Sequence, residues 1–542
     1  MKPVFGALVL ALVATPVAAK PEFSADRVKA HVAFLSDDLL EGRGTGTRGY
    51  DIAARYVASQ FAANGLKPAG KNGSWFQPVT LSEASLAKGA NQVTITTKAG
   101  PVTYAHGSDA IVSPSQLATS SVAEGELVFA GFGLDAPKQG FNDYAGLDVR
   151  GKIVVVLGGI PKRAPDEVLA HLGTQKGQMA AARGAIGLIT ISSLEGQKLR
   201  PWARSQQTAS VPRMTWVAAD GTPYVGAPTI KGAAALSPAA AEALFTGART
   251  PLAKILAEAD KPGGAPKGFA LKASARIEAA SATRKVESSE IIGMIPGSDP
   301  KLKDEYVVLM GHLDHLGIRP ERPGDNIYNG ALDNAAGVAI LMEVARAFAG
   351  DAVAPKRSLL FVVNTAEEKG LLGAESFAND PAVPIGQIVS VVDLDQPLLL
   401  YDFTDVIAFG GDHSTMGESI RAAVAKAGVA LSPDPMPAET IFVRSDHYTF
   451  VKRGVPALLL ATGFANGGKE GWEHFLSTDY HQPSDDMKQP IHWNAGARYA
   501  EVNYLITREI ADAPARPLWY SGDYFGDTFA PGAPKAARQK GQ

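Results

Sequence analysis

Histidines and carboxylates stand in this chain just where its apolar runs give out. His312 and Asp314 follow the run Tyr306-Val307-Val308-Leu309-Met310, Glu367 and Glu368 follow residues 358–364, and Asp393 and Asp395 close an apolar run that begins at Ile388. Asp333 precedes a stretch rich in helix formers, and His481 lies among turn formers near residue 480. Imidazole nitrogen and carboxylate oxygen are the usual non-sulfur ligands of a borderline cation such as zinc. Taken singly, a histidine after a strand is an ordinary hydrogen-bonded residue and an aspartate opening a helix is an N-cap. Two histidines and several acids together at strand exits and loops predict a metal site.

The elements that must deliver these groups follow from the same stretch. Residues 306–310 read as a buried strand ending at Gly311-His312, residues 358–364 as a second strand, and residues 388–393 as a third. Between the first two, residues 335–348 carry apolar side chains at helical spacing, which sets Asp333 at a helix start. Glu367-Glu368 precede Gly370 and another helical segment, a place that also favours acids through the helix dipole. Strands alternating with helices predict an α/β fold, in which ligands gather where strands hand over to helices.

As a set, five segments resemble those of the co-catalytic di-zinc aminopeptidases, a family that includes glutamate carboxypeptidase and the transferrin receptor. They are Gly311-His312-Leu313-Asp314, residues 329–337 around Asp333, residues 367–375 around Glu367-Glu368, Asp393-Leu394-Asp395 and Tyr480-His481. The resemblance implies a mixed, mostly parallel sheet flanked by helices, and two zinc ions per chain. One zinc would take His312 and Asp395, the other Glu368 and His481, with Asp333 bridging both. Glu367 would be the general base, and Asp314 the acid that orients His312. A water held between the two cations would attack the scissile carbonyl, and Glu367 would pass its proton to the leaving amine. Three positions depart from the family pattern without removing a ligand: Ala336 replaces a small hydroxyl residue, Asp393 an asparagine, and Gln396-Pro397 follow Asp395 where methionine is frequent. These bear on specificity.

The chain of 542 residues exceeds a single core, and its composition, 46% hydrophobic and 20% charged with a net charge of −3, is that of a soluble globular protein with no electrostatic case for nucleic acid. The opening residues 1–19 read as a secretory signal peptide cleaved near Ala19, and no later segment is long and apolar enough to serve as a membrane anchor. With 0 cysteines the chain has neither a disulfide nor a lipoprotein anchor, and export to a bacterial periplasm or beyond fits best. Residues 20–118 are expected to form the first part of the catalytic domain, with helices between Ser24 and Gly65 broken by Glu41-Gly42-Arg43. That loop resembles one in exported family members and makes Arg43 a structural or substrate-side candidate at the rim. Residues 119–280, with short glycine-punctuated strands and a helix over 174–183, resemble the β-rich protease-associated domain, an insert expected to act as a lid or substrate-side wall. Residues 281–515 complete the catalytic domain, and 516–542 form a tail, mobile from Ala530. By resemblance, the loop around residues 444–450 lines the specificity side of the pocket, making His447, Tyr448 and Phe450 substrate-binding candidates beside Tyr480.

Peptides are the expected substrates, and the oligomeric state is not legible. An aminopeptidase acting on apolar N-terminal residues is the first expectation. A carboxypeptidase or dipeptidase on the same metals comes next, its terminal carboxylate met by Arg43, Arg48 or Arg444. A glutaminyl cyclase ranks lower because such enzymes use a single zinc, and a receptor-like binding protein lower still because such relatives have lost ligands that are all present here.

Overall fold

The computed structural model describes residues 21–163 and 166–538, so the signal-peptide reading of residues 1–19 lies outside the described residues. Two sheets share one strand, Phe269–Ile295. Its later half pairs antiparallel with Phe76–Leu86 and, through residues 291–295, with Ser358–Asn364. Its earlier half pairs antiparallel with Gln92–Thr97 and Ser120–Phe129; Val93 and Ile95 pack in the same core as Ala123 and Leu127, so the insert's β-structure begins ahead of the expected residue 119.

The catalytic sheet is parallel at its centre, in the order Ser358–Asn364, Tyr306–His312, Ile388–Asp393, Ala457–Thr462, with Asp405–Phe409 antiparallel beyond. Every residue of Ser358–Asn364, Ile388–Asp393 and Ala457–Thr462 is buried, as expected of strands covered by helices on both faces. From Tyr306–His312 the chain crosses to one neighbour through helix Ala336–Ala349, then returns past it to Ile388–Asp393 on the other side. His312 therefore ends the strand at which the direction of winding reverses, where an open α/β sheet leaves a crevice.

Helix Ala336–Ala349 is buried nearly all round, and its one acid, Glu343, is fully buried. That charge is met by Arg27 at 2.9 Å, by Arg346 at 2.8 Å and by the Ser24 amide at 3.0 Å, which ties the N-terminal helix Ala25–Leu35 to the core. Ser24 caps that helix as its type predicts.

The insert has its own core and a parallel layer, with Ile153–Leu157 and Gly232–Leu236 flanking Gly187–Ile191. The helix expected over 174–183 is Lys176–Ala182, and a second helix outside that expectation, Glu167–Thr174, precedes it, with Gln175 between them outside helical geometry. The tail also differs from expectation through residue 538. The Ala536 amide donates to Trp519 and its carbonyl accepts from Ser521, while the Lys535 ammonium binds the carbonyls of Gly526 and Ala530. Those satisfied backbone groups anchor a segment whose composition alone reads as loose. No helix among the described residues is long and apolar enough to cross a membrane.

Candidate metal centre and substrate cavity

His312 is the last residue of its strand and is buried, with Nδ1 2.9 Å from the Asp314 carbonyl oxygen. That bond fixes the ring and turns Nε2 into the crevice, 3.0 Å from Asp395 Oδ1 and 3.3 Å from Asp333 Oδ1. The Asp314 side chain does something else: its Oδ2 accepts from the Thr45 hydroxyl at 2.8 Å and its Oδ1 from the Glu367 amide at 3.1 Å. The orienting contact expected of that carboxylate is thus made by the residue's main chain, while the carboxylate positions the start of the Glu367-Glu368 loop.

Asp333 does not cap a helix. It lies in a tight turn, Ala331–Ala335, ahead of the helix, held from below by the buried Asp485, whose two carboxylate oxygens accept from the amides of Leu332 at 2.8 Å and Asp333 at 3.0 Å. Capping falls to Asn334, whose Oδ1 accepts from Gly337 and also from Gln396, while its Nδ2 donates to Leu394. One amide side chain therefore locks the Asp333 turn to the Asp395 loop. From the far side His481 brings Nε2 to 3.2 Å from Asp333 Oδ2 and 3.3 Å from Glu368 Oε2, its ring stacked on Tyr480 with centroids 3.8 Å apart. The five residues expected as ligands thus converge, with Asp333 reaching both histidines through different oxygens.

The electrostatics call for positive charge. Against the cost of burial, hydrogen bonds from His312 and His481 hold Asp333 well below the usual carboxylate range. Against the same cost, the neighbouring acids hold His312 well above the ordinary imidazole value. Burial, aided by the carboxylates of Asp395 and Glu368, pushes Glu367 well up. Donor atoms of His312, Asp333 and Asp395, and of His315, Asp333 and Glu368, form two groups, each spanning no more than 4.8 Å. Nitrogen and oxygen donors so gathered fit zinc.

Residues 290–507 match peptidase family M28, and residues 123–230 match the PA domain. Residues 290–507 belong to peptidase family M28. An aminopeptidase from Aneurinibacillus sp. strain AM-1 superposes with a TM-score of 0.51 at 19% identity, covering 93% of this chain and 97% of that one, a likeness of fold. A zinc aminopeptidase from Bacillus subtilis gives a TM-score of 0.44 at 18% identity over 90% of this chain and 95% of its own. A probable zinc metalloprotease from Pyrenophora tritici-repentis (strain Pt-1C-BFP) is 33% identical over 111 residues, 20% of this chain, and the match spans only 24% of that relative's length.

Beside the metal-type donors, the M28 segment encloses a cavity of about 120 Å³. Its apolar wall comes from Phe409, Met436, Ile441, Leu459, Trp472 and Leu476, and its polar side includes Gln396, Glu439, Arg444 and Tyr480. Burial, then the charges of Asp333 and Glu368, push the Tyr480 hydroxyl far up, so it stays a donor.

Of the substrate-side candidates, only Tyr480 lines this cavity. Arg43 is 1% exposed and spends its guanidinium on the carbonyls of Leu35, Leu313, Asn329 and Gly330, so it braces the loops beneath the M28 site instead of meeting substrate. His447 is fully buried with Nδ1 3.2 Å from Asp393 Oδ2, and Phe450 is core, packed on Phe377. Tyr448 points to the insert, its hydroxyl 2.6 Å from His171 Nδ1. All three fall on the short helix His447–Val451, whose residues are entirely buried. The residues of that loop that do reach the site are Arg444, which lines the cavity, and Ser445, whose Oγ lies 2.7 Å from Asp395 Oδ2.

Proposed function

We propose that this chain is an exported zinc-dependent exopeptidase, an aminopeptidase removing apolar residues from the N-terminus of peptides. The observation that carries the choice is the cavity's polarity. At about 120 Å³ it is far smaller than the ~300–1,000 Å³ of a typical ligand site, so it takes one side chain rather than a length of peptide. Its apolar wall suits an aliphatic or aromatic residue. Asp333, Glu367, Asp395 and Glu439 all line it, whereas among the described lining residues Arg444 is the lone Lys or Arg, with Nη1 2.8 Å from Glu439 Oε2. With zinc bound, Asp333 and Asp395 are spent on the ions, and Glu367 and Glu439 are the lining acids left to meet a substrate ammonium. Because Arg444 is paired with Glu439, no unpaired Lys or Arg among the described lining residues awaits a terminal carboxylate, which sets the carboxypeptidase reading second.

His312 and Asp395 would hold one zinc and Glu368 and His481 a second, with one Asp333 oxygen for each. Bound there, the ions would supply Lewis acidity to the scissile carbonyl and an activated water. The residues provide the rest. Glu367, buried and set by the Asp314 carboxylate through its own amide, accepts the proton of the attacking water and returns it to the leaving nitrogen. Tyr480 donates its O–H into the same space. The Glu439–Arg444 pair stands at the cavity rim, where the substrate's amine enters. Residues 1–19, read as a cleaved leader, carry the export part of the proposal.

The test is hydrolysis of one tripeptide series by zinc-loaded protein, with free or acetylated N-termini and free or amidated C-termini. Loss on acetylation alone establishes the aminopeptidase; loss on amidation alone moves the assignment to a carboxypeptidase. No cleavage with zinc bound sinks the peptidase reading.

A further inference from the structure

We infer that His315 is a further ligand of the metal pair, placed on the Glu368 side, so that the second cation is held by two imidazoles where the first has one. This rests on the metal-site reading above and adds a residue outside its five ligands.

His315 lies one residue beyond Asp314 and is fully buried. Its Nδ1 is 2.7 Å from Glu368 Oε1, yet the approach is out of line for a hydrogen bond, and neither ring nitrogen nor Glu368 Oε1 has a hydrogen-bond partner. A buried imidazole normally satisfies at least one nitrogen, since a buried polar group left bare loses its hydration without a replacement partner. Donors that crowd together without bonding to one another are arranged as ligands of a common cation. Asp333 completes the group: its donor and those of His315 and Glu368 fall within 4.8 Å of one another. His481, which reaches Asp333 and Glu368 from the exposed side, faces His315 with ring centroids 5.7 Å apart.

The surroundings hold the ring in this pose. The His315 amide donates to the Arg43 carbonyl at 3.2 Å, and Gly44 and His315 form an isolated bridge. Gly330 lies against the ring, where a Cβ would come within 2.6 Å of the imidazole Cγ. Only a glycine at that position leaves space for the ring where it stands.

Two measurements on the full-length protein test this. In chelator competition with zinc, H315A and H315Q are expected to bind the first equivalent as the unchanged protein does and the second at least ~10-fold more weakly. In the cobalt(II)-loaded protein, a paramagnetically shifted exchangeable imidazole N–H resonance is expected that H315Q removes while the remaining shifted histidine signals persist. The proposal is overturned if H315Q keeps every shifted imidazole signal, or if both variants hold two equivalents as tightly as the unchanged protein. Fewer than two equivalents in the unchanged protein would instead overturn the reading beneath it.

Discussion

Glu367 and Arg43 show how differently two residues beside one crevice can act. Glu367 faces the cavity, so E367Q, which preserves shape and removes the base, is expected to lower kcat by about 100- to 10,000-fold. Zinc content measured on the same sample should stay unchanged, which separates a lost base from a lost ligand. Arg43 never reaches substrate; R43A strips the partner from four buried carbonyls and is expected to lower unfolding stability by about 3 kcal/mol, read by urea denaturation. R43K would not rescue it, because a point charge cannot replace a planar fork. His312, Glu368 and Asp395 were legible because each follows an apolar run, and a strand exit leaves a side chain little choice of direction; Asp333 and His481, set in turns, were legible only through the family resemblance of their segments. Arg43, His447 and Phe450 were not, since in a loop or a five-residue helix nothing in the residue type says which way it turns. His315 was visible in the run Gly311-His312-Leu313-Asp314-His315, but simple alternation along an extended chain would send it away from His312, and the bridge to Gly44 bends it back.

At the scale of elements, the cavity wall is set by strand Ala457–Thr462 and helix Gly468–Thr478, which supply Leu459, Ala461, Trp472 and Leu476. A461L adds bulk inside a buried strand and is expected to lower kcat/KM for a leucine-initiated peptide by about tenfold relative to an alanine-initiated one. Equal losses for both peptides would mean the side chain binds elsewhere. A second element-level contact joins the insert to the catalytic domain: His413 Nε2 lies 2.9 Å from Glu167 Oε2 in helix Glu167–Thr174, and His413 Nδ1 lies 2.6 Å from Asp523 Oδ2, with Arg538 3.6 Å from the same oxygen. Against the cost of burial, the bonds to Asp523 and Glu167 raise His413 from its ordinary 6.5 to about 10. A raised folded value means that the stabilisation is complete below pH 6.5, shrinks above it and is lost as pH passes about 10. H413Q is therefore expected to lower stability by roughly 1.5–3 kcal/mol at the acid end and to match the unchanged protein at the alkaline end, checked by thermal midpoints across that window. The strands and helices of the catalytic part were readable from their periodicity. Helix Glu167–Thr174 and the anchored tail were not; the tail is held by bonds to Trp519, Ser521, Gly526 and Ala530 that its composition does not show.

The whole molecule rests on the strand Phe269–Ile295, which no local pattern announces as one element, since its 27 residues change sheets midway. The return from the insert to the catalytic fold was expected at residue 281; what sequence does not reveal is that the return is made without leaving β-structure. The insert is therefore not hung on a slack tether. It is a beam held at two places, along Phe76–Leu86 at its root and through His171 and Glu167 to Tyr448 and His413 farther out. Shifting it against the catalytic sheet means flexing a paired ribbon where the two sheets meet, near Ala280 and Ser281, and parting both side contacts as well.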